Sequence, residues 1–154
     1  MERLLRNTLA GGRFIGVEPT RSQTMSAIRG KNNRTTELRF RMALVRSALR
    51  GWVTHPDLLG KPDFYFPSAK VVVFLDGCFW HGCKVCGHIP KTNSAFWSTK
   101  IRRNKYRDRR NTRALRASGF SVLRFWEHSL GRHADLQWSL RKVRNAVAST
   151  RKGV

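Results

Sequence analysis

Three segments of the chain repeat their apolar residues with the period of an amphipathic helix. The first predicted helix begins at Thr35 or Thr36 and ends at Gly51. The second spans about 93–117 and ends before Gly119, and the third lies near the end of the chain. The residues predicted to face the core are Leu38, Met42, Val45 and Leu49 in the first helix, Phe96, Trp97, Ile101 and Leu115 in the second, and Leu136, Leu140, Val143 and Val147 in the third.

Short apolar runs between these helices predict β-strands over 52–54, 63–66, 70–75 and 120–126. The run 70–75 (KVVVFL) is apolar at consecutive positions, so both of its faces should be covered, as in the centre of a sheet. The order of elements, α-β-β-β-loop-α-β-α, predicts a small α/β sandwich in which helices flank a central mixed sheet.

The length of the chain bounds its domain organisation. A chain of 154 residues suits one domain and is short for two. We expect residues 21–154 to form that domain and residues 1–20 to be a loose leader. The leader has no apolar stretch of secretory length, and no run in the chain approaches the roughly 18 residues of a membrane span. The protein is therefore expected to be intracellular and cytoplasmic.

The charge of the chain indicates a polyanionic partner. There are 31 Lys and Arg against 9 Asp and Glu, which gives a net charge of +22 and a pI near 11.7. The basic residues are dense in 29–50, 100–116 and 141–152. Solvated helix faces usually mix both signs, and here the acidic half is missing, so nucleic acid binding is favoured over generic solubility. Ribosomal proteins share this composition, and charge alone does not indicate an enzyme.

The three cysteines, Cys78, Cys83 and Cys86, have the spacing C-x4-C-x2-C. An odd number argues against a closed disulfide framework, and the C-x2-C pair can place two thiolates on one tetrahedral zinc ion. A structural zinc is favoured over thiols without metal. The fourth ligand would be one of the histidines His81, His88, His128 and His133.

Three acidic residues occupy positions suited to phosphodiester chemistry. Asp63 opens a predicted strand, Asp76 ends the next one, and Glu37 lies in the first turn of the first helix. Hydrolysis of a phosphodiester uses carboxylates that hold Mg²⁺ against the phosphate. Each residue also has a local explanation, because Glu37 complements the helix dipole and the two aspartates favour turns. Their shared position at strand ends beside the cysteines favours the catalytic interpretation.

Three segments give the chain a family likeness. They are Lys61-Pro62-Asp63, the strand VVVFLDG and, above all, Gly77-Cys78-Phe79-Trp80-His81. From about Ser22 to Leu130 it resembles the very short patch repair (Vsr) DNA mismatch endonucleases. Further matching segments are Met25-Ser26-Ala27-Ile28-Arg29, Thr36-Glu37-Leu38, Lys91-Thr92-Asn93, Phe96-Trp97, Lys100-Ile101, Arg107-Asp108-Arg109-Arg110 and Phe125-Trp126-Glu127-His128.

The resemblance implies a restriction-endonuclease-like α/β core with a structural zinc site. It implies Mg²⁺-dependent nicking of double-stranded DNA, on the 5′ side of the T in a T·G mismatch left by deamination of 5-methylcytosine. A nucleoid-associated monomer is expected, with mismatch-repair proteins as candidate partners.

The family motifs also imply roles for individual residues. By resemblance, Asp63 binds the Mg²⁺ together with the backbone carbonyl of Leu75. His81 is the catalytic histidine close to the attacking water, and Glu37 is the supporting acid. Asp76 stands where the best-known members have a histidine, which alters the proton-transfer arrangement and makes Asp76 a candidate catalytic residue and a candidate metal ligand.

The resemblance assigns the zinc ligands and a DNA wedge as well. Cys78, Cys83, Cys86 and His128 match the structural zinc ligands. Met25, Phe79 and Trp80 match the side chains that wedge into the DNA stack beside the mismatch. Two adjacent side chains point in different directions, so we expect that Phe79 and Trp80 do not fill one packing site in the core.

Two alternatives remain, one from another class of protein and one with the same fold. A non-catalytic zinc-containing RNA- or ribosome-binding protein would explain the charge and the cysteines, but not Asp63, Glu37 and His81 together. A restriction endonuclease of the same fold would cut both strands of matched DNA, whereas a mismatch endonuclease nicks one strand of a mismatched duplex.

Overall fold

The computed structural model describes the backbone of residues 9–10, 13–14 and 34–151, and the side chains of 36–149. Within the predicted leader, β1 (Leu9–Ala10) pairs antiparallel with β2 (Arg13–Phe14). The predicted boundary between residues 20 and 21 lies outside the described residues, and so does Met25.

Four further strands form one mixed sheet. They are β3 (Val53–Thr54), β4 (Phe64–Phe66), β5 (Val71–Asp76) and β6 (Ser121–Trp126), in the order β3-β4-β5-β6. The first three are antiparallel, and β5 and β6 are parallel. The mixed sheet and its strands are confirmed.

Helices cover both faces of this sheet. A π-helical turn (Arg34–Leu38) leads into α1 (Arg39–Arg46), and the remaining helices are α2 (Ser94–Ala117), α3 (Glu127–Gly131) and α4 (His133–Arg151). Side chains of α1 and α4 pack on one face of the sheet, and Leu115 of α2 packs with Val72, Phe74 and Val122 on the other. The buried central strand is thus confirmed, because Val71–Phe74 are all buried. No helix in the described ranges is both long and apolar enough to cross a membrane.

The predicted inward face of the first helix is wrong. Leu38, Met42 and Val45 are between 42% and 47% exposed, whereas α1 buries Phe40, Ala43 and Leu44. The helix ends at Arg46, so Leu49 lies beyond the helix, although it packs against the core as predicted. Phe40 decides which face turns inward, because its ring packs against Phe64 and Phe125 at centroid distances of 5.4 and 5.8 Å.

The second and third predicted helices are confirmed, with their inward faces. In α2, Phe96, Trp97, Ile101 and Leu115 are buried. Gly119 ends this helix with φ +81°, a left-handed conformation in which glycine avoids a Cβ clash, and its amide donates to the Arg116 carbonyl at 3.0 Å. In α4, Leu140 and Val143 are buried, and Leu136 and Val147 pack against the same core. The short α3 was not predicted.

Candidate active site and metal centre

Asp63 directly precedes β4, and its carboxylate lies where the pairing of β4 and β5 ends. The Asp63 amide donates to the Val73 carbonyl at 3.0 Å, and the Asp63 Oδ2 accepts a hydrogen bond of 2.6 Å from the Leu75 amide. In an extended strand the N–H and C=O of one residue point to the same side. The Leu75 carbonyl therefore faces the same edge as the Asp63 carboxylate, the arrangement expected of the two as metal ligands.

Glu37 and His55 complete this cluster with Asp63. The three side chains offer ligand atoms that all lie within 4.8 Å of one another. The His55 Nε2 lies 3.1 Å from the Glu37 Oε2, yet the contact lacks hydrogen-bond geometry, and this nitrogen is buried. Two ligands at right angles around an ion at about 2.1 Å lie about 3.0 Å apart, so the pair has the spacing of neighbouring ligands of one cation. The cluster therefore fits a divalent cation.

Sequence reasoning missed His55, which lies in the loop HPDLLGKP before β4. Its amide donates to the Asp63 carbonyl at 3.1 Å, which continues the pairing of β3 and β4. A histidine placed eight residues before the aspartate, at the other end of a hairpin loop, is the signal that could have identified it.

The environment of Asp63 disfavours its negative charge. Burial, with a smaller contribution from the nearby carboxylates of Glu37 and Asp76, raises the pKa of Asp63 from 3.8 to about 7, against the opposing effect of the Leu75 hydrogen bond. A buried carboxylate among other carboxylates is best matched by a cation, which offsets both the desolvation and the repulsion.

Asp63→Asn is expected to stabilise the metal-free protein at neutral pH. Since the folded state raises the pKa of Asp63, it binds this proton more tightly than the unfolded state, and wild-type stability falls as the pH rises from about 4 to 7. Asparagine carries no charge at any of these pH values. At about pH 8 the variant should gain up to about 4 kcal/mol in free energy of unfolding, and the gain should vanish near pH 4.

Urea unfolding of both proteins across this pH range, without divalent cations, measures that difference. Asp57→Asn, which neutralises an exposed carboxylate in the same loop, is the matched control. A difference between wild type and Asp63→Asn that does not change with pH would contradict the raised pKa.

His81 lies in a second group of charges beside this cluster. Its Nδ1 is 2.6 Å from the Asp108 Oδ2 and 3.7 Å from the Asp76 Oδ1. Arg124 holds both oxygens of Asp76, with Nε at 2.7 Å from Oδ2 and Nη2 at 2.6 Å from Oδ1. Asp76 is buried and is in neither group of potential metal ligands found among the described residues.

Asp108 and Arg124 were not predicted as site residues. Burial alone would raise the pKa of Asp108, but the hydrogen bond from His81 and the charges of Arg124 and Arg107 outweigh it and hold this pKa below its usual value. Asp108 is the one acidic residue in the basic run 100–116, and it follows Asn104 by one helical turn. An isolated acid on the inward face of a basic helix is the signal that could have identified it.

The aromatic residues Phe79 and Trp80 are both half-buried and pack on α2. Their ring centroids lie 5.1 and 5.9 Å from that of Trp97, and 5.0 Å from each other. The premise that adjacent side chains do not share a packing site is therefore wrong. The Asn104 Nδ2 also donates to the Trp80 carbonyl at 2.9 Å, which ties the loop to the helix.

The three cysteines converge on His128, which follows β6 as the second residue of α3. The His128 Nδ1 lies 3.2, 3.6 and 3.4 Å from the sulfurs of Cys78, Cys83 and Cys86. These distances suit four ligands around one ion, in which neighbouring ligands of a tetrahedron lie about 3.5 Å apart. Of the four candidate histidines, His128 is the one in this group.

The backbone and the thiol chemistry favour a bound cation here. A Cβ on Gly87 would clash with the Cys83 backbone, so only glycine allows this tight turn. Burial and the sulfurs of Cys86 and Cys83 raise the pKa of Cys78 to about 12, while hydrogen bonds to Cys83 outweigh its burial and lower its pKa. Several thiolates crowd together only when a cation offsets their charge.

The chain matches known proteins over most of this structure. A profile of the family "DNA mismatch endonuclease Vsr" matches residues 17–87. The type II nicking enzyme V.XorIIP of Xanthomonas oryzae pv. oryzae is 38% identical over 125 residues, 80% of this chain and 90% of the relative. The DNA mismatch endonuclease Vsr of Escherichia coli (strain K12) is 37% identical over 113 residues, 72% of this chain and 71% of that protein.

An α/β fold with this metal-suited carboxylate cluster and these relatives defines a DNA endonuclease, a hydrolase of phosphodiester bonds. The chain belongs to the Vsr family of DNA mismatch endonucleases, as its likeness to the family motifs predicted.

Proposed function

We propose that this protein nicks one strand of double-stranded DNA on the 5′ side of the T in a T·G mismatch, by Mg²⁺-dependent hydrolysis on a restriction-endonuclease-like core, in very short patch repair. The observation that carries the proposal is the cluster of Asp63, Glu37 and His55, in which the buried Asp63 carboxylate accepts a hydrogen bond from the Leu75 amide. Asp76, whose charge acts on Asp63, lies 3.7 Å from His81. This site lies in a protein whose net charge of +22 suits the DNA backbone.

Asp63 and Glu37, with the Leu75 carbonyl, would hold the cation through oxygen atoms, the ligands that Mg²⁺ prefers, and His55 would lie beside Glu37 at this site. When bound, Mg²⁺ supplies charge stabilisation for the phosphate in the transition state. Asp108 accepts a hydrogen bond from the His81 Nδ1, which leaves Nε2 free to take a proton from the attacking water. The water oxygen forms a new bond to phosphorus, and the bond from phosphorus to the departing deoxyribose oxygen breaks.

A second metal is proposed for the Cys78, Cys83, Cys86 and His128 group. A closed set of three thiolates and one imidazole is typical of structural Zn²⁺, with no open position for water. Residues 79–82 lie within this loop, so the zinc would fix the loop that carries His81.

Incubation with Mg²⁺ and end-labelled duplexes that contain T·G or matched T·A tests the proposal. We expect one cut in the T strand of the mismatched duplex and none in its partner strand. Cleavage of both strands of matched DNA would identify a restriction endonuclease instead, and binding without any cleavage would favour the non-catalytic alternative. A duplex library with randomised flanking bases then gives the sequence context.

Trp80→Ala is expected to lower discrimination between T·G and matched DNA at least about tenfold, because Trp80 is proposed to enter the stack with Phe79 and Met25. Since its ring also packs on Trp97, the variant should lose about 1–2 kcal/mol of stability, less than the roughly 3–5 kcal/mol of a core tryptophan. Nicking rates on the two duplexes and a urea melt measure both effects.

Trp138→Ala is the matched control, because Trp138 is 48% exposed and carries a lysine over its ring, as Trp80 does. It should keep full discrimination. Equal discrimination by wild type and Trp80→Ala, with a large loss of stability, would place Trp80 in the core.

A further inference from the structure

Arg124 lies at the centre of the charged group around His81. It projects from β6 toward α2, where its guanidinium forms two hydrogen bonds with Asp76 and one of 3.3 Å with the Thr112 hydroxyl. Its Nη2 is also 3.5 Å from the Asp108 Oδ1, and its Cζ lies 4.6 Å from the centroid of the Phe74 ring. Contacts on both edges and on one face hold this guanidinium in a single orientation.

Two carboxylates compete for one ring nitrogen at this point. The His81 Nδ1 faces Asp108 at 2.6 Å and Asp76 at 3.7 Å, and it has a single hydrogen to donate. The oxygens of Asp76 already accept both arms of the Arg124 fork. The hydrogen of His81 therefore goes to Asp108.

We propose that Arg124 is a positioning residue for the nicking reaction, because it occupies Asp76 and so makes Asp108 the acceptor for the His81 Nδ1–H. This fixes the tautomer with an unprotonated Nε2 and the direction in which that nitrogen points. In this arrangement Asp76 is the acceptor for Arg124 rather than a ligand of the cation. The inference rests on the proposed nicking function.

Lysine is an informative substitute at this position. Arg124→Lys keeps the positive charge and an aliphatic stem over Phe74, but an ammonium group lacks the planar fork that holds both oxygens of Asp76. A purely structural ion pair would tolerate this change. A positioning role would not, because Asp76 would regain an oxygen for His81.

Single-turnover nicking of the T·G duplex by Arg124→Lys is expected to be about 10- to 100-fold slower than wild type at saturating DNA, the usual effect of losing a group that orients a site residue. Its Kd for the duplex should stay within about twofold. Arg144→Lys, at an exposed arginine of α4 that contacts the Ser47 carbonyl, is the matched control and should nick at the wild-type rate. Guanidinium ions should partly restore Arg124→Ala, and equal concentrations of sodium should not.

Long-range 1H–15N correlation of the imidazole rings, recorded at one pH, tests the same inference without DNA. His81 should show one tautomer in wild type and Arg144→Lys and a mixture in Arg124→Lys, with His81→Gln assigning the signal. If wild type does not nick, the proposed function fails, and this spectrum still decides the role of Arg124. A wild-type rate with a single tautomer in Arg124→Lys, or failure of that variant to fold, would overturn the inference.

Discussion

Asp63→Ala is expected to lower the rate of Mg²⁺-dependent nicking by about a thousandfold or more, while affinity for the duplex is retained. The Asp63 carboxylate lies where the pairing of β4 and β5 ends and accepts a hydrogen bond from the Leu75 amide. It is close enough to Glu37 and His55 for one cation to contact all three side chains. Loss of a central ligand removes charge stabilisation of several kcal/mol, and each 1.4 kcal/mol is about tenfold in rate. Removal of a negative charge does not weaken binding to a polyanion.

Single-turnover nicking and a binding titration of the T·G duplex measure the two effects separately. Asp57→Ala is the matched control, because it removes an exposed carboxylate six residues away in the same loop. Nicking by Asp63→Ala at the wild-type rate would remove Asp63 from the active site. Loss of DNA binding together with nicking would show that Asp63 acts on the fold or on the interface.

The second large effect is expected from Cys83→Ser. Wild type purified without chelator should contain about one Zn²⁺ per chain, and the variant should contain none and be unfolded or aggregated. Structural zinc in small domains contributes about 10–16 kcal/mol, which is comparable to or larger than the roughly 5–15 kcal/mol of net stability of most domains. Elemental analysis and circular dichroism measure metal content and folding.

Val85→Ser supplies the control for this change. Val85 is 81% exposed between two of the cysteines, and its amide, which donates to the Cys83 sulfur at 3.4 Å, is kept by the substitution. The control should retain zinc and its melting temperature. Wild-type protein without zinc, or a folded and stable Cys83→Ser, would end the zinc assignment.

The order of elements followed from sequence because apolar periodicity directly records burial where an element has one covered face. Helix α2 is such a case, and strand β5, which is covered on both faces, was recognised by its continuous apolar run instead. Helix α1 was assigned the wrong face because its apolar residues lie on two sides, and only the position of Phe64 and Phe125 selects Phe40 over Met42. Information of that kind lies in the other elements of the fold, not in the helix itself.

Only part of the candidate site could be predicted from the sequence. The family motifs pointed to Asp63, His81 and the cysteines, and their roles stay predictions. Arg124 has no local sequence signature, and the position of His55 before Asp63 is a weak one. The role of each depends on a partner that is distant in sequence, which is Glu37 for His55 and Asp76 for Arg124. Such pairs appear only when the fold brings their elements together.

The register of the two parallel strands has a consequence for the unfolded chain. Asp76 pairs with Trp126, so Cys78 and His128, each two residues beyond its strand, lie side by side although 50 residues separate them. A cation held by both would close a ring around α2 and β6. By the loop-closure relation for cross-links of this span, the ring would reduce the conformational entropy of the unfolded chain by an amount worth about 4 kcal/mol. The end of β5, which carries Asp76, would then stay close to the end of β6, which carries Arg124, for as long as the cation is held.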